Sequence, residues 1–103
     1  MSEMDDAARA MSEGEALNCA IRVGYAAEDF AQSELGRFVS ERAEQERAHA
    51  LERLAKVDPF DGRAVSALQL RVAAVDAALR WLTEAVMMGR QASERMAQLQ
   101  QTD

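Results

Sequence analysis

Apolar positions recur at helical spacing along nearly the whole chain, and the clearest run lies in its last third. Val65, Leu68, Val72, Val75, Leu79, Leu82 and Val86 follow an unbroken three-four alternation, the seam of a coiled-coil-like helix. The same rhythm continues into Gly89, Ser93 and Met96, where side-chain bulk falls away. A second apolar line, Ala74, Ala78, Trp81, Ala85 and Met88, runs beside it. One line can pack on a neighbouring helix of the same chain; the other calls for a different partner. A middle segment carries a sparser stripe of Leu35, Phe38, Val39, Ala43, Ala50, Leu51, Leu54 and Ala55. An earlier one places Leu17, Ala20, Ile21, Ala27, Phe30 and Ala31 at helical intervals.

Two breaks divide these segments. Around Gln32-Ser33-Glu34-Leu35-Gly36, Ser33 has the chemistry of an N-cap and Glu34 suits the positive end of a helix. At Val57-Asp58-Pro59-Phe60-Asp61-Gly62 the proline stops the incoming helix and Asp61 can cap the outgoing one. So short a link makes its two helices antiparallel neighbours. The predicted fold is all-α: a long antiparallel, coiled-coil-like hairpin plus a shorter N-terminal helix. Predicted bounds are a flexible acidic N-terminus over 1–14, a single helical domain over 15–99 with helices at about 15–32, 34–57 and 62–99, and a tail over 100–103. Within the first helix, Ala16, Ala20 and Gly24 form a four-spaced ridge along which another helix can approach closely.

Composition sharpens this picture. Alanine supplies 21 of the 103 residues and Phe, Trp and Tyr only five, so the core is expected to be thin. One proline and five glycines are too few for a many-stranded sandwich or barrel. Twelve basic residues against eighteen acidic ones leave a net charge of −6, and arginine and glutamate alternate along the chain. Direct nucleic-acid binding is therefore not expected. The acidic N-terminus lacks the pattern of a signal or transit peptide, and no run reaches the ~18 apolar residues of a membrane span. No membrane association is expected, and the predicted location is the cytoplasm.

Candidate chemistry is scarce. The chain has one His and one Cys, which excludes a Cys/His zinc cage, and Cys19 is expected as a small buried thiol. No catalytic residues and no cofactor are expected. Glu46 and His49 form Glu-x-x-His, a spacing that di-iron helical bundles use, with Glu28 or Glu34 as companion carboxylates. The competing reading is a histidine within a solvated charged face, where Glu44 would pair with Arg47 and Glu52 with Lys56. Trp81 suits either an interface anchor or packing on the first helix. Met87-Met88 suits an adaptable surface or a gap-filler.

The segment Phe30–Ala92 resembles small helical proteins of tailed-phage and prophage genomes. The resemblance is carried by Ser33-Glu34-Leu35-Gly36-Arg37-Phe38, Glu41-Arg42-Ala43-Glu44, the Val57-Asp58-Pro59-x-Asp61 turn, and Trp81-Leu82 followed by Gly89. Its hairpin is similar to the oligomerisation core of phage small terminases, which form rings at the packaging motor. Residues 1–32 depart from that family, being too short and acidic for its DNA-binding helix-turn-helix. The resemblance implies a non-enzymatic, self-assembling interaction protein in phage DNA packaging or head assembly. Two alternatives stay open: a phage-encoded binder or inhibitor of a host protein, and a ferritin-like metal-binding protein built on Glu46 and His49. Expected partners are further copies of this chain, then another phage or host protein. The expected interface is Val72, Val75, Leu79, Trp81, Leu82, Val86 and Met88.

Overall fold

A computed structural model describes residues 3–101, with side chains from Ser12 to Gln101. Its three helices are α1 (Glu3–Gln32), α2 (Glu34–Lys56) and α3 (Gly62–Gln101). The chain is all-α, with α2 and α3 forming the long antiparallel hairpin and α1 shorter than α3. Of the predicted flexible segment, residues 3–14 are helical. Alanine favours helix strongly and Asp5 and Asp6 suit a helix N-terminus, so nothing before Gly14 opposes an early start. Residues 100–101 of the predicted tail are likewise helical, while 1–2 and 102–103 lie outside the described residues.

Both breaks rest on local hydrogen bonds. Ser33 is extended (φ −73°, ψ 160°), and its Oγ accepts from Gly36 N at 2.9 Å while donating to the Phe30 carbonyl at 2.6 Å. That folded-back turn presses the Phe30 carbonyl against Gly36, and a Cβ at Gly36 would overlap the oxygen. At the second break Val57 caps α2 in extended conformation, one residue short of the predicted end. Asp58 Oδ1 accepts from Phe60 N at 2.9 Å, and Asp61 Oδ1 accepts from Ala64 N at 3.1 Å, which caps α3.

The described residues form two compact units. One joins the described residues up to Asp29 with those from Thr83 onward, and the other is Phe30–Leu82. In the second unit Val65, Leu68, Val72, Val75, Leu79 and Leu82 of α3 are covered, as their spacing predicts, together with Ala64 and Ala77. The face that α2 turns inward keeps Ala43, Ala50 and Leu54 of the predicted stripe and not its other members. Gly36, Ser40, Ala43, Arg47, Ala50, Leu54 and Val57 are buried or half-buried, whereas Leu35, Phe38, Leu51 and Ala55 are exposed. Small residues along α2 accept the Val and Leu knobs of α3, and an Arg47–Asp76 ion pair at 2.6 Å ties the helices on that face.

In the first unit, contacts between α1 and α3 fall in reverse sequence order, so these segments are antiparallel. Glu13 pairs with Arg95 at 3.1 Å, the Ala20 carbonyl lies beside Gly89, and Gly24 lies beside Ala85 and Gly89. A Cβ on Gly24 would sit 2.9 Å from Gly89 Cα, and one on Gly89 would sit 2.9 Å from Gly24 Cα. Glycine is required on both sides, because here the backbones themselves touch. Ser93 is exposed, and Ala92 is buried in its place. Beyond Leu82 the covered positions are Ala85, Val86, Gly89, Ala92, Met96 and Leu99, so the seam continues through Val86, Gly89 and Met96 while Ala85 and Ala92 widen it on one side.

Candidate functional site

The predicted interface residues separate into two groups. Val72, Val75, Leu79 and Leu82 are half-buried within the second unit and Val86 within the first, so packing inside the chain already uses them. Trp81 and Met88 remain 64% and 59% exposed. Trp81 extends outward from the second unit with Leu70 at 71% exposure and the exposed Ala74 and Ala78 between them. Residues 70, 74, 78 and 81 lie on one side of a helix, so this is a continuous apolar strip on the outer face of α3. In the first unit the exposed apolar groups are Val23 and Tyr25 on α1 and Met87 and Met88 on α3. Cys19 is also exposed, not buried as expected. It sits on the side of α1 away from Ala20, Gly24 and Ala27, which face α3.

These exposed groups contrast with a slight core. Ala27, Ala50, Leu68 and Ala92 are the buried hydrophobics, and no large side chain among the described residues is fully enclosed.

Glu46 and His49 share one side of α2, as Glu-x-x-His requires, and line a shallow depression with Arg42 and Gln45. Glu46 is engaged by Arg42 at 3.1 Å and His49 is exposed. Of the proposed companions, Glu28 pairs with Arg90 at 2.9 Å in the first unit, and Glu34 is an exposed first-turn residue of α2. Among the described residues no three His, Cys, Asp or Glu side chains are grouped so as to hold a metal ion. Of the two predicted surface pairs, Lys56 lies 3.5 Å from Glu52, whereas Arg47 pairs with Asp76 across the hairpin instead of with Glu44.

No described helix is long and apolar enough to cross a membrane. In comparisons with protein families, curated proteins and solved structures, the chain matches none of them.

Proposed function

We propose that this chain is a non-enzymatic helical interaction protein that assembles with further copies of itself, in the setting of phage DNA packaging or head assembly. The observation that carries self-assembly is the apolar strip on the outer face of α3, from Leu70 through Ala74 and Ala78 to Trp81. Contiguous exposed apolar surface of this kind marks an interaction site. The packaging setting rests on the sequence resemblance alone.

A second copy is placed on the outer strip of α3, at Leu70, Ala74, Ala78 and Trp81. Tryptophan and leucine supply large apolar area there, and the intervening alanines let another helix approach closely. The test is the double substitution Leu70→Asp with Trp81→Asp. Both residues are more than half exposed, so the expected result is unchanged helicity by circular dichroism with a particle mass falling toward 11.3 kDa. An assembly that keeps its mass in the double variant would overturn this placement.

A further inference from the structure

Although the chain is acidic overall, one groove in the second unit is lined by cations. It has a volume of about 530 Å³ and lies between the last turns of α2 and the first turns of α3. Arg53, Lys56 and Arg71 line it with His49 at hand, and Glu52 is the only carboxylate in its wall. Glu52 is committed to Lys56. Arg53 and Arg71 make no ion pair with any described residue. The two nearby aspartates are likewise occupied, Asp58 with Phe60 N and Asp61 with Ala64 N.

The arrangement follows from the hairpin register. Positions 49, 53, 56 and 57 fall on one side of α2, and 64, 67, 68 and 71 on one side of α3; the Pro59 turn folds these sides together. Farther from the turn the same two helices set Arg47 against Asp76, opposite charges across the hairpin. Nearer to it they set Arg53 and Arg71 on a common groove, where like charges repel. The dipole at a helix C-terminus favours Arg53 and Lys56 where they are. It offers no reason for Arg71, which lies well inside α3.

We infer that this groove binds an organic phosphate, its oxygens held by Arg53, Arg71 and Lys56 and its apolar body resting on Val57, Ala67 and Leu68. Guanidinium groups present paired donors that match phosphate oxygens, and an anion there relieves the repulsion between the two arginines. The apolar floor favours a ligand with a flat or greasy body over a bare anion. The volume falls within the range of small-molecule sites, about 300–1,000 Å³.

The experiment is calorimetric titration of the full chain with 1-naphthyl phosphate, with inorganic phosphate and 1-naphthol titrated separately. Saturable binding of naphthyl phosphate, tighter than either fragment, is expected. Arg53→Gln and Arg71→Gln should each weaken it roughly tenfold. Arg22→Gln and Arg37→Gln, which remove exposed and unpaired guanidiniums outside the groove, should leave it unchanged. Equal binding of 1-naphthol would overturn the anion site, and equal binding of inorganic phosphate would overturn the apolar seat. Equal loss in all four arginine variants would reduce the effect to diffuse charge and also overturn the proposal.

Discussion

The two units solve the same problem, a shortage of large apolar side chains, in opposite ways. In the first, α1 and α3 meet where neither has a side chain, Gly24 against Gly89, with Ala27 and Ala92 buried alongside. In the second, α3 contributes half-buried Val and Leu side chains and α2 faces them with small residues such as Ala43 and Ala50. Backbone contact leaves no room for added atoms, whereas knob packing loses most when atoms are removed. The same 40-residue helix serves both modes.

That difference can be broken at named positions, each measured by thermal or urea unfolding. The largest loss is expected from Gly36→Ala, because the new Cβ meets the Phe30 carbonyl and the turn must rebuild; about 2–4 kcal/mol is expected. Leu68→Ala removes the one large buried side chain of the knob-packed unit, for a similar but slightly smaller cost of about 2–3 kcal/mol. Gly89→Ala sharpens the contrast most. Helix propensity alone would make alanine stabilising by about 1 kcal/mol, yet contact with Gly24 Cα and the Ala20 carbonyl should turn this into a net loss of about 1–2 kcal/mol. A stabilised Gly89→Ala variant would show that the backbones do not touch. The smallest effect belongs to Asp76→Asn. Its pair with Arg47 is about two-fifths exposed on both sides, so about 0.2–1 kcal/mol is expected, shrinking further in high salt.

Features decided within a few residues could be read from the sequence. Ser33 caps α2, Asp61 caps α3 and Pro59 sets the hairpin, because each depends on chemistry local to its own turn. Features decided by the choice between two faces could not. On α2, Leu35 and Phe38 have the greater bulk, but the small-residue side faces α3, since Val and Leu on the partner need room. On α3, Ala85 and Val86 are both half-buried, and Ala92 is buried where the seam spacing points to Ser93. The exposure of Cys19 follows from which side of α1 meets α3. The convergence of Arg53 and Arg71 was hidden by their interleaving with acids along the chain and emerges only in the register of the hairpin.

The self-assembly reading stands or falls on the mass of the full chain in solution. Native mass spectrometry over a concentration series should give a defined multiple of 11.3 kDa, with a closed ring of many copies favouring a packaging-type assembly and a dimer favouring a compact interaction module. A helical particle of 11.3 kDa at every concentration would contradict the account, because the apolar strip at Leu70 and Trp81 would then remain in water.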